Sequence, residues 1–250
     1  DLSLCGFVDH SVMENIHDYQ ELFHKKGGNI GVIGLDVLGT KSEHPFALRR
    51  LLPLQNIIPD NKTRRQKNLE LLANEFELEY SPLKQRKSLF LENFIYFKTK
   101  KIEHTFNQLS GKNDPYQLFD ITFSEGEFIA KEVVRSTMLY IKTPPNVPVF
   151  TLDREGLLEK LYSLAGYKDI DIKNHTDFSK RFYLRGEDPQ KIRALFSDQL
   201  VRFFESNSYY HVESSRDGLL IFSKERIASI KEIKALLDFG VRLNSIINKD

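Results

Sequence analysis

The 250 residues carry 36 Lys and Arg against 35 Asp and Glu, a formal net charge of +1, with 40% hydrophobic and 28% charged residues. That balance belongs to a globular chain of one large or two small domains, and it excludes an overall field that recruits nucleic acid or acidic lipid. A single cysteine, Cys5, excludes an internal disulfide, and no apolar run approaches the roughly 20 residues that cross a bilayer as a helix.

Residues 1–58 read as a mostly helical, glycine-rich N-terminal segment. Val12, Ile16, Tyr19 and Phe23 recur at helical spacing in SVMENIHDYQELFHKK, and Gly27-Gly28 stops that helix. A flexible NIGVIGLDVLGT follows. In SEHPFALRRLLPL, Ser42 can cap and Pro45 can open a short helix that Pro53 limits. Residues 59–68, PDNKTRRQKN, form a basic linker that merges into a helix with Leu69, Leu72 and Phe76 on one stripe.

Residues 69–147 form an α+β stretch. LFLENFIYF is apolar and too short for periodicity to tell a strand from a helical turn, whereas QLFDITF and VVRSTMLYI alternate and read as strands. TPPNVP is an extended connector.

Residues 148–250 read as a β-α-β-β-α stretch. Thr151 or Asp153 is expected to cap a helix over REGLLEKLYSLAG, closed by Gly166. DIDI and RFYLRG are strands. Asp188-Pro189 opens a helix over QKIRALFSDQLVRFFES, and YYHVE and GLLIF form a hairpin around Asp217-Gly218. A long helix over roughly 226–247 ends the sequence. The fold class expected is α+β: antiparallel or mixed sheet layers covered by helices.

Two stretches resemble known families. ENIHDYQELF, the glycine-rich spacer and SEHPFALRRLLPL, within residues 11–54, resemble the C-terminal end of an HtpX-like zinc metallopeptidase domain. The matching residues are Ser42, His44, Pro45, Arg49 or Arg50, and Leu54, with Glu43 lengthening the usual pair. The H-E-x-x-H helix of that family is missing, so the resemblance implies zinc only if a peptidase domain precedes this chain. One functional reading is therefore the downstream, regulatory part of such a peptidase.

Residues 69–247 resemble an uncharacterised bacterial family often attached to membrane helices. The likeness lies in LFDITF, PVFTLDREGLLEKL, DIDI, DFSKRFYLRGEDPQKIRALF and the VES…GLLIF hairpin. It implies a domain beside a membrane, in the cytoplasm or at the cytoplasmic membrane face, and no activity. The absence of a basic segment followed by an apolar core predicts no signal peptide. An opening Asp1 in place of Met reads as a processed chain or a fragment.

Candidate chemistry is sparse. Lys62, Arg64, Arg65 and Lys67 form the one dense basic cluster, suited to a membrane surface or an anion, or else a solvated linker. Asp169, Asp171, His175 and Arg181 form a polar cluster around DIDI, in which Asp169 and Asp171, with Asp177 and His175, could hold a divalent cation, although alternation alone places both strand aspartates on the solvated side. His10, His17 and His24 share one helix side, but steps of seven residues lie about 10 Å apart, too far for one metal site. No nucleophile elbow, phosphate loop or dinucleotide motif occurs. These readings favour a non-catalytic interaction or accessory domain that needs no cofactor. A protein partner or a membrane surface fits it better than nucleic acid, whose binding would place aromatic residues among the basic ones.

Overall fold

The computed structural model describes residues 1–2, 5–35, 38–40, 42, 44–50, 62–86, 89–111, 115–126, 132–154, 167–172 and 174–248. The chain divides into two compact units, residues 1–62 and 63–250.

In the N-terminal unit, helix α1 (His10–Lys25) starts at Asp9, whose carboxylate accepts the Val12 N–H at 2.8 Å. It ends at Gly27, where φ is +78°. A two-residue strand β1 (Phe7–Val8) pairs antiparallel with β2 (Arg49–Arg50). The short helix expected over SEHPFALRR is not formed: Pro45 and Phe46 make a turn, and Arg49 and Arg50 become β2. Strand pairing satisfies those backbone groups instead. Among the described residues, the buried apolar ones of this unit are Val8, Met13 and Leu38, joined by half-buried Leu2, Cys5, Leu35 and Phe46.

The C-terminal unit is built on one antiparallel sheet that, among the described residues, has nine strands. They are β3 (Glu79–Ser81), β4 (Lys100–Ser110), β5 (Tyr116–Glu125), β6 (Glu132–Lys142), β7 (Phe150–Asp153), β8 (Lys168–Asp169), β9 (Tyr183–Gly186), β10 (His211–Ser214) and β11 (Gly218–Phe222). Their order across the sheet is β3-β4-β5-β6-β11-β10-β7-β9-β8. The sheet thus runs through both 69–147 and 148–250, and β6 meets β11 at the junction.

Alternation along the strands gives the sheet two different faces. Leu118, Leu139, Ile141, Phe150, Leu152, Leu184, Val212, Leu219 and Ile221 point to the helices. Among the described residues that layer consists of α2 (Arg64–Glu75), α3 (Thr176–Arg181), α4 (Pro189–Leu195), α5 (Asp198–Ser206) and α6 (Ile230–Ile247). The expected stripe of α2 is there, with Leu69 and Leu72 buried and Phe76 partly so. On the opposite face Phe119, Ile121, Phe123, Met138, Leu220 and Phe222 pack under Leu91, Phe94, Tyr96 and Phe97. LFLENFIYF supplies those four through two 3₁₀ turns, Leu89–Asn93 and Ile95–Phe97, with Phe94 between them.

Two backbone approaches demand glycine. A Cβ on Gly218 would lie 2.4 Å from the Ile141 carbonyl oxygen, and one on Gly186 would lie 2.4 Å from that of Val149. These glycines let the hairpin and the β9 turn close against their neighbours.

Two expectations are corrected, and one strand has no expectation to correct. Thr151 does not cap a helix; it and Asp153 are buried residues of β7, and the helix predicted over 154–166 lies, beyond Arg154, outside the described residues. The single helix expected after Asp188-Pro189 is two, because α4 ends at Phe196 and Ser197 becomes the N-cap of α5. Strand β4 interrupts its own alternation with register shifts between Ile102 and His104 and between Phe106 and Leu109, so its period of two is hidden.

A buried charge ties the helices to the sheet. Asp120 on β5 is 1% exposed. Its Oδ1 accepts the Thr137 hydroxyl at 2.6 Å and Arg65 Nη2 at 2.9 Å. Its Oδ2 accepts Asn107 Nδ2 at 2.8 Å and Arg65 Nε at 3.2 Å. Arg65 Nη1 donates onward to the Ala228 carbonyl, and the Ala228 N–H donates to Thr137 Oγ1. The Tyr80 hydroxyl donates to Asn107 Oδ1 at 2.9 Å, and burial, followed by the Asp120 charge, raises its pKa.

Helix α6 starts four residues later than the sequence predicts, at a capping box. Ser229 Oγ accepts the Glu232 N–H at 3.3 Å, and Glu232 accepts the Ser229 N–H at 2.8 Å. The Arg226 guanidinium, then the Ser229 N–H and hydroxyl, hold the Glu232 carboxyl at about 2, against an ordinary 4.5. A carboxyl lowered by folding stabilises the fold fully above its ordinary value, and this contribution is lost as pH falls towards the folded value. Stability is therefore expected to decline between pH 4.5 and about 2. In acid titrations followed by circular dichroism, Glu232→Gln should flatten that part of the profile and leave the neutral region nearly unchanged.

Candidate functional site

The face opposite the helices changes character across the sheet. It is aromatic over β5, β6 and β11, and polar over β10, β7, β9 and β8. Register places Glu213 opposite Thr151, Thr151 opposite Arg185, and Arg185 opposite Asp169, a row across four strands. His211 and Asp153 stand two residues along from Glu213 and Thr151 on the same face. Thr151, Asp153, Arg185, His211 and Glu213 are all buried.

Glu213 is the organising residue. One carboxylate oxygen accepts the Ile95 N–H, and the other accepts the Tyr96 N–H at 3.1 Å. The second 3₁₀ turn therefore starts on a carboxylate delivered by a distant strand, which satisfies amides that no turn can satisfy internally. His211 Nε2 lies 3.7 Å from Glu213 Oε2, and its ring packs on Phe222 with centroids 4.6 Å apart. His211 Nε2 and Thr151 Oγ1 are buried without a hydrogen-bond partner. Arg185 Nε pairs with Asp169. The Tyr167 hydroxyl, pushed up chiefly by burial and then by the Glu187 and Glu213 charges, is held in its neutral form.

Glu213 acts as a clamp on the 3₁₀ turn. Among the described residues, no three His, Cys, Asp or Glu side chains are grouped to hold a metal ion.

The polar cluster expected around DIDI is dispersed. Asp169 joins Arg185 on the sheet. The Asp171 side chain is exposed, and its carbonyl accepts Arg193 Nε at 3.2 Å. His175 Nε2 meets Asp198 Oδ1 at 3.0 Å, which lowers the Asp198 pKa. Arg181 donates to the Glu205 carbonyl at 3.3 Å. Ile170 and Ile172 are buried, as the alternation requires. In the basic run, Arg64 and Lys67 are exposed, Lys62 is half-buried, and Arg65 turns inward to Asp120.

The N-terminal unit has the opposite character. Among the described residues, seven of the eleven exposed large hydrophobic side chains lie in residues 1–62: Phe7, Val12, Tyr19, Leu22, Phe23, Ile33 and Leu48. The stripe of Val12, Ile16, Tyr19 and Phe23 is largely in solvent, with Tyr19 60% exposed, and the buried residue of α1 is Met13. Asn15 and Gln20 border the stripe, Asp18 lies about 130° round the helix from its centre, and Glu14 and Glu21 lie about 170° round. His10 and His17 share a side, as their spacing requires, and both contact Phe46. Among the described residues, no helix is long and apolar enough to cross a membrane.

Among solved structures, the chain is similar to the mycobacterial trehalose monomycolate transport factor A, TtfA. The TM-score is 0.49 and the identity 11%, over 75% of this chain and 96% of that one. No family model matches the chain, and no curated protein does. The likeness to TtfA is too distant to transfer a role.

If Glu213 clamps the turn, Glu213→Gln should speed hydrogen exchange at the Ile95 and Tyr96 amides by about tenfold or more. Exchange in β11 should stay unchanged. Equal acceleration throughout would mean that the residue supports the whole sheet and not this turn.

Proposed function

We propose that this chain is a non-catalytic accessory module whose N-terminal unit binds another protein. The observation that carries the reading is the concentration of exposed large apolar side chains in residues 1–62. A contiguous apolar surface in water is unfavourable at about 25 cal/mol per Å², and such patches mark interaction sites. The α1 stripe repeats at spacings of four, three and four, the pattern by which one helix seats on another.

The border of the stripe favours protein over lipid. A helix that lies on an anionic bilayer carries Lys and Arg beside its apolar side. Here the border is uncharged, and α1 holds three acidic residues, Glu14, Asp18 and Glu21, against one lysine, Lys25. Within the basic run, Arg65 is committed to Asp120. The C-terminal unit supports the same reading, because its buried carboxylates Asp120 and Glu213 hold structural elements together. Location at the cytoplasmic face of a bacterial membrane rests on the family resemblance of residues 69–247.

A photo-crosslinking residue placed at Tyr19 should capture one discrete protein in the native cell, and the same residue at exposed Leu71 on α2 should not. Tyr19→Glu combined with Phe23→Glu should abolish the capture and leave the melting temperature within a few degrees of the parent. Flotation of the chain with phosphatidylglycerol vesicles, lost in the double variant, would replace the protein partner with a lipid one.

A further inference from the structure

An open depression of about 440 Å³ lies in the N-terminal unit, lined by His10, Thr40, Ser42, His44 and the stretch from Phe46 to Leu48. The Phe46 backbone sets the protonation of both imidazoles. Its carbonyl can only accept, and it lies 2.6 Å from His10 Nδ1, so the proton of neutral His10 sits on Nδ1. Nε2 of that ring then carries a lone pair. The Phe46 N–H can only donate, and it points at His44 Nδ1 at 3.1 Å, so the proton of neutral His44 sits on Nε2. One residue thus fixes two opposite tautomers on rings whose centroids are 5.9 Å apart, edge to face.

The hydroxyls divide in a similar way. Thr40 Oγ1 is occupied, donating to the Ser42 carbonyl and accepting the Ser42 N–H. Ser42 Oγ accepts the His44 N–H at 3.2 Å and keeps its own proton to donate. The depression therefore offers an acceptor on His10, donors on His44 and Ser42, and an apolar wall from Phe46 to Leu48.

We propose that this depression binds a small apolar molecule bearing a primary carboxamide. The amide oxygen accepts from His44 Nε2–H and the Ser42 hydroxyl, its NH₂ donates to His10 Nε2, and the apolar body lies on Phe46 and Leu48. Competing classes fit less well. A carboxylate brings acceptors only and sets one against the His10 lone pair. A transition metal needs a lone pair from each ring, and His44 offers none towards the depression without losing its Nε2 proton. This site lies in the unit that carries the interaction surface and does not depend on that function.

The test uses the isotope-labelled full chain at slightly alkaline pH, where imidazoles are mostly neutral. Long-range proton–nitrogen correlations of the rings should report His10 protonated on Nδ1 and His44 on Nε2. Benzamide should shift both rings saturably, and benzoate should bind roughly tenfold more weakly. His44→Ala should weaken benzamide binding roughly tenfold. Ser42→Ala should weaken it several-fold, with the α1 amide signals in place, and serves if His44→Ala disturbs the unit. Benzoate binding as tightly as benzamide, zinc ligated by both rings, the same tautomer on both rings, or no response to benzamide would each overturn the proposal.

Discussion

The C-terminal unit depends on a carboxylate placed where water cannot reach it. Asp120 sits on the helix-facing side of a central strand, and its four hydrogen bonds come from α2, β4 and β6. An ionised group in that position is tolerated only when its lone pairs are filled and a counter-charge is near. Arg65 supplies the charge from the first turn of α2 and extends the tie to the chain just before α6. Both long helices of the covering layer are thereby located on the sheet by one side chain, and the apolar stripes of α2 and α6 close around it. The positive φ of Asn107, +50°, falls at a register shift of β4, which also delivers the Asn107 amide to Asp120.

The same device recurs on the other face at smaller scale. Glu213 reaches from β10 to the start of a 3₁₀ turn as Arg65 reaches from α2 to β5. In each case a buried charge replaces what a long apolar element would otherwise provide, namely a fixed position for a short one. The aromatic half of that face adds apolar packing to this clamp, since Tyr96 and Phe97 pack directly on Phe123. The N-terminal unit contrasts with this. Its interior is three buried apolar side chains among the described residues, and its larger ones face solvent. The large buried core lies in residues 63–250, and among the described residues most of the exposed large apolar side chains lie in residues 1–62.

Much of the fold was legible where a local signal and a tertiary role coincide. Asp188-Pro189 announces α4, Asp217-Gly218 announces the β10–β11 hairpin, and alternation announces β5 and β6. Legibility failed where long-range pairing overrides local preference. Thr151 is a good cap residue, yet β9 and β10 claim it for the sheet. Strand β4 hides behind its two register shifts, and Ser197-Asp198 marks a helix start inside what periodicity reads as one helix. The sites were less legible than the fold. Arg65 is indistinguishable in composition from Arg64, and only its position opposite Asp120 turns it inward. An aspartate between Phe119 and Ile121, in a strand apolar on both faces, was the available signal that a buried counter-charge had to exist. The tautomers of His10 and His44 had no signal at all, since they follow from the backbone of a turn that was expected to be helical.

The most direct test of this account is a double-mutant cycle on Arg65→Met and Asp120→Asn, read by urea denaturation of the full chain. Residues in direct contact within one buried network show coupling of about 0.5–3 kcal/mol. The account requires coupling in the upper half of that range, with each single variant clearly less stable than the parent. Additive effects would contradict it, because they would mean that the helices find their place on the sheet without this tie.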